Sequence, residues 1–269
     1  MNKDYPLGYS PQEAKRLADQ AAVLEGLTED VLRRAGLRPG MQILDIGTGL
    51  GDVALTAAKI VGSDGGVVGI DKAASSLDTA RSRIKSLGIH NIHFEQSDMV
   101  AFTTDRKFDA IVGRCVLLYI HDRARVLRKL TELLNPGGIV ALLEPDLSQI
   151  AEVPPSDLFT QVRRWTFEGF AAGGADLDMG SKLYATFMQA GLPAPNLIAS
   201  QVVCGPTFPA YEHLVQALRS LLPMIEKHGI ASAAEINIAT LAERLREDAV
   251  TNHRIMFLSR FIGAWTQVA

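Results

Sequence analysis

Short apolar runs in the first half of the chain alternate with stretches whose hydrophobic residues recur at helical spacing. The runs predict five strands, over residues 42–46, 67–70, 92–95, 108–113 and 139–143. The helices predicted between them span residues 51–61, 73–87 and 123–134. Strands that alternate with helices form βαβ units, which build a parallel sheet with helices on both faces. This half of the chain therefore predicts a doubly wound α/β fold.

The remaining segments carry a more mixed pattern. A first helix is predicted over residues 11–37, because it begins at Pro11 and keeps a helical hydrophobic spacing. Further helices are predicted over residues 158–170, 179–190, 211–228 and 233–248, and a strand over residues 196–203. The β-branched and aromatic content of residues 254–268 favours a last strand, with a helix as the alternative.

Composition and charge narrow the class of protein. The chain has 269 residues, of which 47% are hydrophobic and 21% charged, and these are ordinary values for a globular protein. A net charge of −3 argues against a nucleic-acid partner, which usually requires a basic surface. No apolar run approaches the ~20 residues of a membrane span, so we expect a cytoplasmic protein. Cys115 and Cys204 lie far apart in the sequence, and no metal site is expected.

A glycine-rich segment directly after the first strand is the most informative part of the chain. Gly47, Gly49 and Gly51 alternate there, and Asp45 lies two residues before the first of them. The GxGxxG spacing of dinucleotide-binding proteins is not matched. A carboxylate repels a diphosphate, whereas it attracts an ammonium group at short range. The turn therefore favours a ligand that carries a cation and no phosphate.

Two further acids follow the second and third strands. Asp71 ends the second strand, where a carboxylate can accept hydrogen bonds from both hydroxyls of a ribose. The alternative is that Asp71 caps the next helix. Asp98 follows the third strand, where it could accept the exocyclic amine of adenine while Met99 and Val100 cover the ring. Capping is again the alternative for Asp98.

Five ordered motifs now resemble those of the class I S-adenosylmethionine-dependent methyltransferases. The motifs lie at residues 43–51, 68–71, 97–99, 108–112 and 134–138. The resemblance covers about residues 40–145, and the flanking regions are more loosely similar to the small-molecule methyltransferases of menaquinone and ubiquinone biosynthesis. It implies a Rossmann-like, mostly parallel seven-stranded sheet with helical cap insertions. It also implies S-adenosyl-L-methionine as the cofactor.

The same resemblance assigns cofactor-binding roles in the glycine turn. Gly47 and Gly49, with Thr48 between them, would let the backbone approach the methionine part and the ribose. Asp45 would lie near the amino group of the cofactor.

Later motifs supply the remaining cofactor-binding residues that the resemblance implies. Asp71 would hold the ribose hydroxyls, with Lys72 beside the adenosine, and Asp98 and Met99 would frame the adenine. Arg114 would touch the methionine part through its backbone. Many relatives have a small polar residue at this position, so we expect the Arg114 side chain to point away or to bind the methionine carboxylate.

The resemblance and the pattern together predict four parts of the chain. Residues 1–38, which include Tyr5 and Tyr9, would form an N-terminal helical lid, and residues 39–147 the cofactor-binding core. Residues 148–177 would form a cap insertion. Residues 178–269 would complete the core sheet and carry a helical cap insertion at about residues 209–252. An apolar cap favours a small, partly hydrophobic acceptor.

The expected reaction is methyl transfer to this acceptor by in-line displacement, which depends chiefly on positioning. His121, Glu144 and Asp146 follow the fourth and fifth strands and are candidate general bases, but a capping or solvated role is the favoured interpretation of each. No catalytic residue is therefore assigned, and the sequence leaves the oligomeric state open.

Two other classes of protein compete with this interpretation. One binds the same cofactor as a sensor, or catalyses a reaction without methyl transfer, such as a cyclisation or decarboxylation. The other is a nicotinamide-dependent dehydrogenase, against which the glycine spacing and Asp45 argue.

Overall fold

A computed structural model of the protein describes Leu7 and residues 11–268. Tyr5 and Tyr9 of the predicted lid lie outside these residues. The chain divides into two compact units. The first, here called the sheet unit, comprises Leu17–Glu144, Met179–Ala199 and the described part of Ile262–Ala269. The second unit comprises Pro145–Asp178, Ser200–Phe261 and the described residues up to Arg16.

Strands and helices alternate along the first half of the chain, as the hydrophobic pattern predicts. The strands are β1 Gln42–Ile46, β2 Gly66–Asp71, β3 Ile92–Gln96, β4 Phe108–Arg114, β5 Leu134–Asp146, β6 Ala151–Val153, β7 Asn196–Ser200, β8 Val203–Cys204, β9 Ile255–Phe257 and β10 Arg260–Gln267. The α-helices are α1 Pro11–Ala35, α2 Asp52–Val61, α3 Ala74–Ser86, α4 Arg123–Thr131, α5 Asp157–Ala172, α6 Met179–Gln189, α7 Ala210–Lys227, α8 Ala233–Ile236 and α9 Leu241–Thr251.

The sheet unit is built on a seven-stranded sheet, which confirms the predicted fold class. Its strand order is β3-β2-β1-β4-β5-β10-β7, and β1 pairs in parallel with both β2 and β4. The chain order therefore reverses beside β1, which makes the carboxyl end of β1 the switch point where such sheets bind ligands.

Continuous apolar runs explain why β1 and its neighbours occupy the centre of this sheet. Ile43, Leu44 and Ile46 of β1 are completely buried, as are Ile111 and Val112 of β4. A parallel strand covered by helices on both faces reads as an apolar run rather than as an alternation. Asp45 interrupts the run in β1 and is buried with it.

The structure corrects the predicted boundary between the fourth helix and the fifth strand. Helix α4 ends at Thr131, and β5 begins at Leu134 rather than at residue 139. Phe108 of β4 pairs with Leu134, whereas Ala110 pairs with Ile139. The Asn-Pro-Gly-Gly segment therefore lies within β5 as a bulge. Its extra residues fall between the two positions that pair with Phe108 and Ala110. Strand β5 also continues to Asp146, beyond the predicted end at residue 143.

Three predictions in the second half of the chain also need correction. The single strand over residues 196–203 is two strands, β7 and β8, which belong to different sheets. The single helix over residues 233–248 is divided into α8 and α9, because Asn237 adopts a left-handed backbone with φ of 46°. The ambiguous segment 254–268 forms two strands, β9 and β10.

The second unit contains a small sheet that the sequence did not predict. Its strands β6, β9 and β8 are antiparallel and only two or three residues long, too short to produce a recognisable alternation. Helices α5 and α7 pack closely in the same unit, where a Cβ atom at Gly169 would lie 3.0 Å from Cγ1 of Ile225. The proposed boundaries of lid, core and cap stay predictions.

Candidate cofactor site

The glycine turn after β1 has a backbone that only glycine adopts readily. Gly47 has a φ of 62° and Gly49 a φ of 53°, both in the left-handed region. A Cβ atom at Gly47 would collide with the side chain of Val116 and lie 3.5 Å from Cε of Met99. The turn is therefore tightly packed on one side, which explains the demand for glycine at its first position.

Asp71 links this turn to the helix that follows β2. Its Oδ2 accepts a hydrogen bond from the amide of Gly49 at 2.9 Å, and its Oδ1 accepts one from the amide of Ala73 at 2.8 Å. Ala73 is the N-cap residue of α3, which has no side-chain cap, so the Oδ1 contact forms a turn before the helix and does not cap it. Each carboxylate oxygen can accept a second hydrogen bond, so the ribose role stays open to the same side chain.

Asp45 is a buried carboxyl group with spare hydrogen-bonding capacity. It is 1% exposed, and its Oδ2 accepts a hydrogen bond from the Thr48 hydroxyl at 2.5 Å. Its Oδ1 is buried and has no well-formed hydrogen bond from a described residue, although the backbone amide of Ala54 also favours the ionised carboxyl group. Burial raises the pKa of Asp45 to about 7, against the Thr48 hydrogen bond and the positive charge of Arg114. A cationic group of a ligand would satisfy Oδ1 and stabilise the ionised form.

The predicted adenine residues lie after β2 and β3. Lys72 is exposed and Asp98 is half-buried. Asp98 accepts a hydrogen bond from the amide of Val100 at 2.9 Å, which closes the turn after β3. Met99 is buried beside Gly47. The structure therefore brings Met99 to the glycine turn, while the adenine role of Asp98 stays a prediction.

Arg114 ends β4 and extends towards the first helix. Its guanidinium group donates a hydrogen bond of 2.8 Å to the hydroxyl of Thr28, a buried residue of α1. The Arg114 side chain thus has a partner within the protein, and its backbone role stays a prediction. Sequence reasoning missed Thr28, because one polar residue on a helix carries no signal of its contact.

Glu144 is not the solvated loop residue that its position after residue 143 suggested. It lies within β5 and is completely buried. Its Oε1 accepts hydrogen bonds from the amides of Val116 and Leu117, both at 2.9 Å. Burial raises the pKa of Glu144 to about 7, although these backbone hydrogen bonds oppose the shift. The available signal was an acid directly after an apolar run, the signal that also marks Asp71.

The other two candidate bases have different surroundings. His121 is exposed. Asp122 precedes α4 in the capping position, but its side chain pairs with Arg125 at 2.9 Å instead of capping. In the second unit, Asp146 is buried and accepts hydrogen bonds from Arg260 at 2.6 Å and from the Ser148 hydroxyl at 2.7 Å. None of this geometry assigns a general base.

Two other kinds of feature are missing from the described residues. No group of three histidine, cysteine, aspartate or glutamate side chains among them is placed to hold a metal ion. None of their helices combines the length and the apolar character that crossing a bilayer requires.

Comparison with known proteins identifies the family. Residues 37–191 match the family model described as a methyltransferase domain, and the chain belongs to this family. It is an S-adenosylmethionine-dependent methyltransferase with a Rossmann-like fold, and S-adenosylmethionine is its cofactor. The buried Oδ1 of Asp45 and the tightly packed glycine turn fit a cofactor that carries an ammonium group.

The sequence identity between this chain and its individual relatives is modest. Methyltransferase GfsG of Streptomyces halstedii is 27% identical over 230 residues, covering 84% of this chain and 78% of that protein. The ubiquinone/menaquinone biosynthesis C-methyltransferase UbiE of Vibrio parahaemolyticus is 35% identical over 124 residues. That match covers 44% of this chain and about half of UbiE, 48%. A solved SAM-dependent methyltransferase from Aquifex aeolicus has a TM-score of 0.54 at 22% identity, covering 74% of this chain and 93% of that one.

Proposed function

We propose that the protein transfers the methyl group of S-adenosylmethionine to a small-molecule acceptor. The observation that carries the proposal is the buried Oδ1 of Asp45, an acceptor that no described residue satisfies, beside a glycine turn whose Gly49 amide is held by Asp71. A buried carboxylate oxygen without a partner costs free energy, so a site that keeps one favours a cationic ligand. The ammonium group of the cofactor supplies that charge.

Several residues of the chain act by binding and orienting. When bound, S-adenosylmethionine supplies a methyl group on a sulfonium sulfur, which is already activated for displacement. Asp45 binds the amino group, and the backbone of Gly47 and Gly49 adjoins the methionine part and the ribose. Asp71 accepts the ribose hydroxyls through the lone pairs that its two amide contacts leave. Correct positioning of two reactants lowers a barrier by roughly 7–11 kcal/mol in favourable cases.

Lys72, Asp98, Met99 and Arg114 complete the proposed cofactor site. Asp98 and Met99 frame the adenine, and Lys72 lies beside the adenosine. The side chain of Arg114 is engaged by Thr28, which leaves its backbone to adjoin the methionine part. No side chain is assigned as general base.

The acceptor is proposed to be small and partly hydrophobic rather than a nucleic acid. The net charge of −3 supports this, as do the names of relatives such as UbiE, which refer to ubiquinone and menaquinone biosynthesis. A cytoplasmic location and the acceptor-binding role of the cap segments stay predictions. The alternative of a sensor or a non-methylating enzyme is not favoured, because the named relatives are methyltransferases.

Two measurements test the proposal. Calorimetry with S-adenosylhomocysteine and with NAD should show binding of the former only. Methyl-labelled S-adenosylmethionine is then incubated with the protein and, separately, with the dialysable, RNA and protein fractions of a cell extract. Label should move to the dialysable fraction. Transfer to RNA or protein would overturn the acceptor class, and binding of S-adenosylhomocysteine without transfer to any fraction would favour the non-methylating alternative.

A further inference from the structure

The Glu144 carboxylate accepts hydrogen bonds from a backbone segment. Its side chain is 0% exposed, and its Oε1 accepts the amides of Val116 and Leu117 at 2.9 Å each. Its Oε2 lies 3.4 Å from the amide of Leu118. The positive charge of Arg123 also acts on this carboxylate, but less than its backbone hydrogen bonds do. One side chain therefore accepts three consecutive amides of the segment that follows β4, residues 116–118.

This segment packs against the glycine turn. The Val116 side chain occupies the space that a Cβ atom at Gly47 would need. A Cβ atom at Gly113, near the end of β4, would also lie 3.3 Å from Cγ1 of Val116. Val116 is thus wedged between the end of β4 and the turn after β1. A displacement of the segment would change the packing of the turn, because close-packed groups transmit small shifts.

The backbone that leads into the segment is strained. Cys115 has a φ of 57°, a left-handed conformation that costs a residue with a side chain about 1–2 kcal/mol. Its amide donates a hydrogen bond of 3.0 Å to the carbonyl oxygen of Leu143, the residue that precedes Glu144. Such conformations persist where the surroundings determine them from several sides. Leu143 and Glu144 together accept hydrogen bonds from the amides of residues 115–118.

We infer that Glu144 is a positioning residue for the cofactor. By binding the amides of residues 116–118, its carboxylate keeps Val116 against Gly47 and so maintains the shape of the glycine turn. The inference rests on the proposed function for the role of the turn. It does not require Glu144 to touch the cofactor, the acceptor or the transferred methyl group.

Two substitutions at Glu144 distinguish the effect of its acceptor oxygens from the effect of its side-chain volume. Glu144→Leu removes both oxygens at similar size, whereas Glu144→Gln keeps one oxygen for the two shorter hydrogen bonds. Asp109→Asn is the matched control, because Asp109 lies near the other end of β4 and accepts the backbone amide of Gln42 at 2.8 Å.

Binding of S-adenosylhomocysteine, measured by calorimetry, gives the first readout. Glu144→Leu should raise the dissociation constant roughly tenfold or more, which corresponds to about 1.4 kcal/mol. Glu144→Gln should give a smaller increase, and Asp109→Asn should leave the constant unchanged. The graded order distinguishes lost amide contacts from a general loss of packing.

Hydrogen exchange at the amides of Val116, Leu117 and Leu118 gives a second readout that does not depend on any ligand. Exchange at these amides should be roughly tenfold faster in Glu144→Leu, in proportion to the same lost free energy. Amides elsewhere in the sheet should keep their rates, and Asp109→Asn should match the wild type at residues 116–118. A uniform acceleration along the chain would show global destabilisation and would overturn the positioning role.

Two outcomes separate this inference from the proposed function. Wild-type binding affinity and wild-type exchange at residues 116–118 in Glu144→Leu would overturn the inference. If that variant does not fold, the same two results in Glu144→Gln overturn it. If the wild type does not bind S-adenosylhomocysteine, the proposed function fails, whereas the exchange experiment still decides whether Glu144 holds the segment.

Discussion

The two edges of the seven-stranded sheet carry the same residue types in different surroundings. At the carboxyl edge, Gly47 has a left-handed backbone and packs against Val116, and Asp71 holds two backbone amides. At the amino edge, Gly88 has a nearly identical φ of 65°, but a Cβ atom there would meet no atom within 4 Å. Asp64, which precedes β2 at the same edge, is exposed. Crowding and burial, rather than residue type, therefore distinguish the candidate cofactor site.

A cavity at the amino edge strengthens this contrast. It has a volume of about 320 Å³ and is lined by Arg38, Pro39, Gly40, Met41, Asp109, Pro136, Gly137 and Gly138. None of the residues that we predict to bind the cofactor is among them. This cavity therefore does not include the acids and glycines of the carboxyl edge.

The largest expected effect comes from adding one methyl group at the carboxyl edge, and the same change at the amino edge is its control. Gly47→Ala should weaken binding of S-adenosylhomocysteine by more than about 3 kcal/mol, because left-handed strain and overpacking against Val116 both distort the turn. Gly88→Ala introduces similar backbone strain without the collision. It should lower thermal stability slightly and leave the dissociation constant, measured by calorimetry, at the wild-type value.

Equal losses of binding in the two glycine variants would contradict the proposed difference between the two edges. They would mean that backbone strain anywhere in the sheet unit weakens the site through global stability. A folded Gly47→Ala variant with wild-type affinity would remove the glycine turn from the proposed site.

A smaller effect is expected from Asp71, which has a matched acid at the other edge. Asp71→Ala should weaken binding of S-adenosylhomocysteine by about 1–3 kcal/mol, because it leaves the Gly49 amide and the ribose hydroxyls without their acceptor. Asp64→Ala removes an exposed carboxylate and should leave the dissociation constant of S-adenosylhomocysteine unchanged. Titration calorimetry of both variants measures the difference, and an unchanged constant in a folded Asp71→Ala protein would exclude Asp71 from the site.

Much of the sheet unit could be predicted, because its central strands are mostly apolar. The bounds of β1 match the prediction, since Pro39-Gly40 precedes the strand and the glycine turn ends it. Strand β5 could not be predicted in full, because its pairing with β4 passes over an Asn-Pro-Gly-Gly segment that reads as a turn. The three-stranded sheet of the second unit was missed for a related reason, since its pairing joins short segments distant in sequence.

Some residues of the candidate site could likewise be predicted from the sequence, whereas the role of another could not. Asp45 and Asp71 could be found because each carboxyl group lies at a strand end next to an informative motif. Glu144 carried a similar signal, but its role depends on amides 26 to 28 residues earlier in the chain. Spacing along the sequence does not encode such a contact. Strand order brings β4 and β5 together, and only then do the amides that follow β4 meet the carboxylate.

The smallest expected effect is the pH dependence of cofactor binding at the carboxyl edge. Burial raises the pKa of Asp45 to about 7, whereas an ammonium group favours the ionised carboxylate. The dissociation constant of S-adenosylhomocysteine should therefore rise by at most about tenfold for each pH unit below this pKa, and it should level off above it. Asp45→Asn should flatten the slope to what Glu144 contributes, since burial raises its pKa to about 7 as well, while Asp109→Asn at the amino edge should retain the slope.

The sign of this slope decides between two roles for Asp45. If the carboxylate binds the ammonium group, protonation of Asp45 weakens binding, and affinity falls as the pH decreases. If the carboxyl group instead donates a hydrogen bond, affinity rises as the pH decreases through the same range. Calorimetry between about pH 6 and pH 8 spans this pKa, and thermal unfolding of Asp45→Asn at each pH separates altered binding from altered folding. An unchanged slope in Asp45→Asn would assign the titration to another group, such as Glu144, and leave Oδ1 of Asp45 without a role in cofactor binding.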